Sequence, residues 1–291
     1  MNMQICRFNG SRLGVIRDGA LHDVTAALAV LPADPWPAPL GDPLIRSLPA
    51  VQSAIADILP DAPRIKLDAV RLDSPVARPA NILGAPANYE LHIEESKADA
   101  EIAASGPIRS IGELGLFLKA STSLVGFGDG ITVRFPERRT DHEAEFVVVI
   151  GRTADAVNEE AALDYVAGYT LGLDVTLRGS EERSFRKSID SYTVAGPWLV
   201  TSDELTDPSA VPFTLSVNGV LRQDANTRDL IYGVRQLIAL ASSFYVLHPG
   251  DLIFTGAPVG VGEIRPGDEI VLASPHIGEG RVAVRATSNG K

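Results

Sequence analysis

The chain is poor in cysteine, since Cys6 is the one cysteine among 291 residues. A lone cysteine can form neither an internal disulfide nor a cysteine-rich metal cluster. Because disulfides are characteristic of secreted proteins, this usage suits a reducing compartment, and we expect a cytoplasmic protein. Cys6 itself is expected to be a small buried side chain.

Long hydrophobic runs are missing as well. The best candidate, residues 236–247, is shorter than the roughly 20 apolar residues that a membrane-spanning helix needs. Residues 1–7 lack the basic stretch and apolar block of a secretory signal. We therefore expect no membrane partner.

Basic residues are outnumbered by acidic ones, 26 to 37, which gives a formal net charge of −11. This excess of carboxylates repels phosphate backbones, so we expect no nucleic-acid partner. The sequence also has no glycine-rich phosphate loop of the dinucleotide or P-loop type, so nucleotide chemistry is not indicated. The 45% of hydrophobic residues are enough for a globular core.

Turn-forming residues divide the first part of the chain. Asn9-Gly10 and Asp18-Gly19 tolerate the positive φ of tight turns, so residues 1–24 are predicted to form β-hairpins. A proline-rich segment, 32–64, follows, with one helix predicted over 50–59. These features predict a small N-terminal domain and its linker.

We place this N-terminal domain at residues 1–75 and a catalytic domain at 76–291. A helix is predicted over 159–165, capped by Asn158, and a second over 229–245. The remaining apolar runs predict an α+β, β-rich fold with strands over 130–135, 145–150, 168–174, 197–201, 213–217, 252–256 and 269–273.

Two glutamates stand directly before the apolar run 146–150. In a strand, Glu143 and Glu145 point to the same face, and two buried carboxylates side by side repel unless a proton or a cation lies between them. Oxygen ligands of this kind select a hard divalent ion. The alternative is a half-exposed edge strand with two solvated glutamates.

Asp174 closes the apolar run 168–173 and is either a cap or a third metal ligand. Arg178 follows four residues later, where it would neutralise these carboxylates or bind an anionic substrate. The alternative for Arg178 is an ordinary surface salt bridge.

His92 and Glu95 are three residues apart, which places them on one face of a predicted helical turn. The carboxylate can hold one imidazole nitrogen while the other accepts a proton from water. The alternative is a surface pair without a catalytic role. The polar segment 96–113 is predicted to be a mobile lid.

Two further segments carry weaker signals. Lys187 precedes Gly196-Pro197-Trp198, and a loop of small residues, 255–262, follows an apolar strand. Such a loop lets a ligand approach backbone amides, although many barrel corners also contain small residues. A solvated surface lysine is the alternative for Lys187.

Taken in order, these segments resemble the fumarylacetoacetate hydrolase family over about residues 80–285. The segments that carry the resemblance are Asn88-Tyr89 with His92 and Glu95, Glu143-Ala144-Glu145, Gly168-Tyr169 leading to Asp174 and Arg178, Lys187-Ser188-Ile189-Asp190 before Gly196-Pro197-Trp198, Asn218-Gly219, Arg222-Gln223, and Pro249-Gly250-Asp251 through Gly262.

The resemblance implies a mixed, rolled β-sheet core in a homodimer. It implies one Mg²⁺ or Mn²⁺ ion, with Ca²⁺ as a further ion that fits, bound by Glu143, Glu145 and Asp174, and a lid that carries His92 and Glu95. Family substrates are small 2-oxo acids, often 2,4-dioxo acids. The substrate-binding positions are matched here by Arg178, Glu181, Tyr89, Thr255, Gly256 and Ala257.

This resemblance implies hydrolysis of a carbon–carbon bond. The ion would chelate the 2-oxo acid end, His92 oriented by Glu95 would activate water, and Lys187 would help the ion to stabilise the enolate. Decarboxylation, enol–keto isomerisation or dehydration at the same site is the alternative. A metal-stabilised binding or structural protein without activity is a third hypothesis.

Three features depart from the family pattern. Glu181 stands where small-acid hydrolases of the family have glutamine, and Ala257 replaces the second threonine of Thr-Gly-Thr-Pro. Both positions usually face the substrate, so these departures leave open which acid is accepted. The run 183–187 is unusually basic and resembles that of relatives that act on dicarboxylates from aromatic ring cleavage.

Overall fold

The computed structural model describes residues 3–103 and 109–287. The α-helices in these residues are α1 Pro43–Arg46, α2 Leu48–Ile58, α3 Glu90–Ala98, α4 Ala100–Ala103, α5 Ile111–Leu114, α6 Arg183–Lys187 and α7 Val234–Phe244. Short 3₁₀ helices span Thr25–Val30, Leu59–Asp61, Leu67–Ala69, Ser121–Ser123, Ala162–Tyr165, Pro208–Ala210 and Thr227–Asp229.

The strands dominate the described fold. They are β1 Gln4–Phe8, β2 Arg12–Arg17, β3 Ala20–Asp23, β4 Arg64–Ile65, β5 Leu72–Asp73, β6 Ile82–Gly84, β7 Phe117–Lys119, β8 Leu124–Val125, β9 Ile131–Val133, β10 Thr140–His142, β11 Ala144–Ile150, β12 Val166–Asp174, β13 Thr176–Leu177, β14 Thr193–Thr201, β15 Pro212–Val217, β16 Val220–Asn226, β17 Leu252–Phe254, β18 Gly262–Glu263, β19 Glu269–Ser274 and β20 Gly278–Ala286.

These strands form sheets of twelve, five and three strands. The α+β, β-rich class is therefore confirmed, with mixed sheets and no closed barrel among the described strands. No helix in the described part of the chain is both long and apolar enough to cross a membrane.

The N-terminal hairpins form as predicted. Asn9 and Asp18 have φ of 48° and 50°, and each is followed by a glycine with positive φ, as tight hairpin turns require. Strand β1 pairs with β2, and β2 pairs with β3. The helix predicted over 50–59 is present as α2, which buries Val51 and Ile55.

The N-terminal strands also extend the large sheet. Ile5 of β1 lies opposite Leu199 of β14, so one sheet runs from the hairpins into the segment that carries the carboxylates. Cys6 on β1 is fully buried, as expected, and burial raises the pKa of its thiol to about 12. A domain boundary after residue 75 stays a prediction.

The centre of the large sheet is the antiparallel pair β11 and β12. Every residue of both strands is buried. Buried residues pack against both faces of this pair. This explains why its sequence is continuously apolar and does not alternate between apolar and polar residues. Strand β17 pairs with β11 on its other side, so the loop 255–262 begins beside the start of β11.

The prediction of a helix over residues 159–165 is wrong. Asn158 does cap a turn, since its side chain accepts the Ala161 amide, but only the 3₁₀ turn Ala162–Tyr165 follows. The Tyr165 carbonyl accepts the Gly151 amide, and β12 begins at the next residue. Because β12 begins directly after Tyr165, only one helical turn fits between Asn158 and this strand.

Two other predicted segments differ in part. The helix predicted over 229–245 is present as α7, Val234–Phe244, so Leu230 lies outside it. Within the predicted lid 96–113, the helices α4 and α5 flank residues 104–108, which lie outside the described residues. The mobility of the lid stays a prediction.

Candidate metal and catalytic site

Three carboxylates converge at the end of the β11–β12 pair. Glu143 directly precedes β11, Glu145 is its second residue, and Asp174 ends β12. The register that places Ala144 opposite Leu173 brings the three side chains together, and the Asp174 amide donates to the Glu143 carbonyl at 2.9 Å. One oxygen from each carboxylate lies within 4.8 Å of the others.

All three carboxylates are buried, with exposed fractions of 5% for Glu143, 2% for Glu145 and 1% for Asp174. The half-exposed edge strand is therefore excluded for the two glutamates. Asp174 is also not a simple turn cap, because its carboxylate oxygens bind lysines.

Lys187 bridges two of the carboxylates. Its Nζ lies 2.6 Å from Glu143 Oε2, 2.6 Å from Asp174 Oδ2 and 2.6 Å from Thr176 Oγ1. Its side chain is 8% exposed. The solvated-lysine alternative is therefore excluded.

A second lysine, Lys119 on β7, was missed by the sequence reasoning. Its Nζ pairs with Asp174 and donates to the Tyr192 carbonyl at 3.0 Å. Burial lowers the pKa of Lys119, and the charge of Asp174 partly offsets this effect. Lys119 is separated from Asp174 by 55 residues in the sequence, so no local spacing pointed to the pair.

Arg178 also belongs to this cluster. Its Nε donates to Asp141 Oδ2 at 2.7 Å and its Nη2 donates to Glu143 Oε1 at 3.0 Å. The Arg178 side chain is 9% exposed, so it does not form an ordinary surface salt bridge. Asp141, fully buried and also bound by Arg139 Nε at 2.7 Å, was not predicted as a site residue.

The two glutamates have opposite electrostatic surroundings. Burial raises the pKa of Glu143, but the charges of Lys187 and Arg178 outweigh this effect and hold it well below its ordinary value. Burial raises the pKa of Glu145 well above its ordinary value, and the charge of Asp174 adds to the rise.

The chemistry of these three carboxylates fits a divalent cation. Among the described residues Glu145 forms no ion pair, and its Oε2 accepts the Gly256 amide at 2.5 Å. A buried carboxylate beside two others is costly to ionise unless a cation lies near it. Three carboxylates supply the oxygen donors that Mg²⁺, Mn²⁺ and Ca²⁺ prefer.

His92 and Glu95 form a hydrogen-bonded pair on α3. Nδ1 of His92 lies 3.0 Å from Glu95 Oε2, and Glu95 Oε1 accepts the Gly260 amide at 2.9 Å. When Glu95 accepts the Nδ1 proton, Nε2 is left as an acceptor. His92 lines the same cavity as the three carboxylates.

This cavity has a volume of about 90 Å³ and opens to solvent. Its walls carry opposite charges, because the three carboxylates share them with one lysine and four arginines. The lining residues are Ala85, Pro86, Ala87, His92, Ser96, Ile102, Arg109, Phe117, Glu143, Glu145, Asp174, Arg178, Arg183, Arg186, Lys187 and Ala257.

Three of the expected substrate-binding residues, Tyr89, Thr255 and Gly256, are not among the residues that line the cavity. The Thr255 hydroxyl donates to the Phe146 carbonyl at 2.9 Å, and Gly256 contributes its amide to Glu145. Tyr89 is buried, and burial raises the pKa of its phenol. Of the substrate positions expected in the loop, Ala257 reaches the cavity.

Glu181 is also not among the residues that line the cavity, and its contact with the substrate stays a prediction. Two nitrogens of Arg138 each bond its carboxylate at 2.9 Å, and its side chain is 39% exposed. The hydrogen bond from Arg138 lowers the pKa of Glu181. This pairing holds the Glu181 carboxylate just before α6 begins.

The sequence of the chain is similar to those of known proteins. A family model described as fumarylacetoacetate (FAA) hydrolase, C-terminal, matches residues 81–285. A maleylpyruvate hydrolase of Aquipseudomonas alcaligenes is 51% identical over 286 residues, which cover 98% of this chain and 100% of the relative.

Solved structures also resemble the chain. The maleylpyruvate hydrolase of Sphingobium sp. SYK-6, in complex with manganese(II) and pyruvate, has a TM-score of 0.82 and 37% identity and covers 98% of this chain and 99% of its own. A probable 2-hydroxyhepta-2,4-diene-1,7-dioate isomerase from Mycobacterium abscessus has a TM-score of 0.77 and 28% identity and covers 99% of this chain and 100% of its own.

Proposed function

This chain belongs to the fumarylacetoacetate hydrolase family, and on that premise we propose that it hydrolyses a carbon–carbon bond in a 2,4-dioxo acid of the maleylpyruvate type. One observation carries the proposal: three buried carboxylates and a hydrogen-bonded His–Glu pair line a single cavity. Two relatives over nearly the whole chain are maleylpyruvate hydrolases, which supports this class of ring-cleavage product as substrate.

Glu143, Glu145 and Asp174 would hold one Mn²⁺ or Mg²⁺ ion. The relative that contains manganese supports Mn²⁺, and the all-oxygen donor set suits either ion. When bound, the ion supplies positive charge for the carboxylate and 2-oxo group of the substrate and polarises that oxo group.

His92 would act as the general base. Glu95 holds Nδ1, so Nε2 can accept a proton from water while the water oxygen bonds to the 4-oxo carbon. The bond between carbons 3 and 4 then breaks, and its electron pair stays with the 2-oxo acid fragment. Protonation of carbon 3 yields pyruvate, and the other fragment leaves as a carboxylic acid.

Lys187 and Arg178 would provide the fixed positive charge. The ammonium of Lys187 lies between two of the carboxylates and would stabilise the negative charge that bond cleavage leaves on the 2-oxo acid fragment. Arg178 has two of its nitrogens on Asp141 and Glu143, so its main role would be to position Glu143, with any substrate contact left to Nη1.

The remaining expectations concern the cellular compartment, the oligomeric state and the role of the N-terminal residues. We propose a cytoplasmic homodimer, supported by the lone buried Cys6 and by the family resemblance. We also propose that residues 1–75 serve packing or dimer contacts, because their strands extend the sheet that carries the carboxylates.

A second candidate activity uses the same residues. Isomerisation, decarboxylation or dehydration of a 2-oxo acid needs the same cation and a proton carrier, and the isomerase relative favours isomerisation among these. The paired Glu95 favours hydrolysis, because a base held at one nitrogen suits activation of water.

The test starts from protein stripped of metal by a chelator. Maleylpyruvate, acetylpyruvate and oxaloacetate are each added with and without Mn²⁺ or Mg²⁺, and the products are quantified by chromatography. We expect metal-dependent formation of pyruvate and maleate in equal amounts from maleylpyruvate. Loss of CO₂ from oxaloacetate, or isomerised maleylpyruvate, without cleavage would support the second candidate. No turnover of any acid with metal bound would overturn both activities.

A further inference from the structure

We propose that Arg183 selects the substrate by binding a second carboxylate, at the end of the molecule remote from its 2-oxo acid group. This inference rests on the proposed function and names the residue that would bind the second carboxylate of a substrate of the maleylpyruvate type. Among the cations of the cavity wall, Arg183 has donors available for a ligand.

Three of these cations are already engaged. Arg178 bonds Asp141 and Glu143, and Lys187 bonds Glu143 and Asp174. Arg186 gives its Nε to the Glu181 carbonyl at 2.8 Å and its Nη1 to the Leu177 carbonyl at 2.9 Å, so it ties α6 to the preceding turn. None of the three presents a full guanidinium or ammonium to a ligand.

Arg183 differs from these cations. Within residues 3–103 and 109–287, no hydrogen bond or ion pair engages its guanidinium, although the residue is only partly exposed and lines the cavity. Its Cζ lies 5.7 Å from the centre of the Phe117 ring. A guanidinium stays protonated, so Arg183 brings a positive charge and N–H donors to this wall of the cavity.

The Phe117 ring also locates Arg183 relative to the carboxylates. The same ring lies 5.4 Å from Nζ of Lys187, which bonds Glu143 and Asp174. Arg183 is therefore on the same wall as the carboxylate cluster, one aromatic ring away from it. Burial lowers the pKa of Arg183 and the charges of Glu143 and Asp174 raise it, which agrees with that proximity.

A substrate with an anionic group at each end would match these surroundings. Its 2-oxo acid end would lie at the three carboxylates with their cation, its chain would cross the Phe117 ring, and its second carboxylate would accept two N–H groups from Arg183. Bidentate pairing of this kind is the preferred geometry of guanidinium with carboxylate. Arg109, the remaining arginine of the wall, is exposed and therefore contributes less.

The test measures binding with two ligands of equal chain length. 2-Oxoheptanedioate carries the second carboxylate, 2-oxoheptanoate lacks it, and neither has the 4-oxo group that hydrolysis requires. Calorimetric titration in the presence of Mn²⁺ gives the dissociation constant of each ligand for the wild type, Arg183→Gln and Arg183→Lys. Arg281→Gln, an exposed arginine on β20, is the matched control.

We expect the wild type and Arg281→Gln to bind the diacid more tightly than the monoacid. Arg183→Gln should weaken diacid binding by about 10- to 100-fold, the usual effect of losing a charge-assisted hydrogen bond, and leave monoacid binding within about twofold. Arg183→Lys should restore part of the loss. Equal effects on both ligands, no effect, or a wild type without preference would overturn the proposal.

The same variants separate this inference from the proposed function. If the wild type binds the diacid through Arg183 but hydrolyses neither maleylpyruvate nor acetylpyruvate, the proposed reaction is contradicted, whereas binding of the second carboxylate by Arg183 is supported. If both acids are hydrolysed with equal kcat/KM and Arg183→Gln changes neither value, the reaction stands and the role of Arg183 fails.

Discussion

Oε2 of Glu95 lies 3.0 Å from Nδ1 of His92 on the helix that borders the cavity. The other oxygen of the carboxylate accepts the Gly260 amide, so the loop after β17 fixes the carboxylate and thereby the imidazole. The pair thus depends on residues far apart in the sequence, and its orientation is set before substrate arrives.

Glu95→Gln should lower kcat by about 100-fold or more, because glutamine can donate to Nδ1 and so turn Nε2 into a donor. The affinity for Mn²⁺ should stay within about twofold, since Glu95 is not one of the three converging carboxylates. Initial rates of maleylpyruvate hydrolysis at saturating Mn²⁺ measure the effect. Glu94→Gln, exposed on the same helix, is the control; equal rates for both variants would contradict the role of Glu95.

Glu145→Gln should stabilise the metal-free protein at pH 8 relative to the wild type. Burial raises the pKa of Glu145 in the folded state, so the folded chain binds a proton more tightly than the unfolded chain. Its contribution to stability is therefore present below the ordinary glutamate pKa and is lost as the pH rises towards the folded value. The advantage of the variant should shrink at pH 5 in urea unfolding, and an advantage independent of pH would contradict this explanation.

Gly256→Ala should destabilise the protein by about 2–4 kcal/mol. Gly256 has a φ of 102°, and a Cβ there would lie 2.7 Å from Asn88 Cβ. Gly219→Ala is the matched control, because Gly219 has a φ of 78° but open space around it, so only backbone strain of about 1 kcal/mol remains. Equal midpoints of thermal unfolding for the two variants would show that crowding at Gly256 is unimportant.

Glu181→Gln should change kcat/KM for maleylpyruvate by less than about twofold and leave stability nearly unchanged, because an exposed ion pair contributes little. Its carboxylate bonds Arg138 outside the cavity. Steady-state rates of this variant test its placement. A change in the preference between maleylpyruvate and acetylpyruvate would mean that Glu181 does contact the substrate.

Local sequence signals predicted the elements that depend on local chemistry. The Asn9-Gly10 and Asp18-Gly19 turns form because few other residues adopt positive φ, and Glu143 and Glu145 could be paired because a strand repeats every two residues. The prediction of a helix after Asn158 was wrong, because pairing of the neighbouring strands outweighed the local preference of this segment for a helix.

Features that depend on distant pairing could not be read in the same way. Lys119 on β7 pairs with Asp174 on β12, although these strands are not neighbours in the sheet, and the carboxylate of Glu181 is held by Arg138. The pairing of β1 with β14 likewise joins a strand from residues 1–75 to a strand from residues 76–291, on the two sides of the predicted domain boundary. The sequence also did not indicate that the Arg183 guanidinium has no hydrogen-bond or ion-pair partner in residues 3–103 and 109–287, because the partners of its neighbours, such as Arg186, depend on the fold.

The most direct test of the central claim is a Mn²⁺ titration followed by electron paramagnetic resonance, in which the signal reports the free ion. Chelator-treated wild-type protein should bind one Mn²⁺ per chain, and Glu143→Gln, Glu145→Gln and Asp174→Asn should each weaken binding by more than about 100-fold. Binding of unchanged affinity in any two of these variants would show that the three carboxylates do not hold the ion.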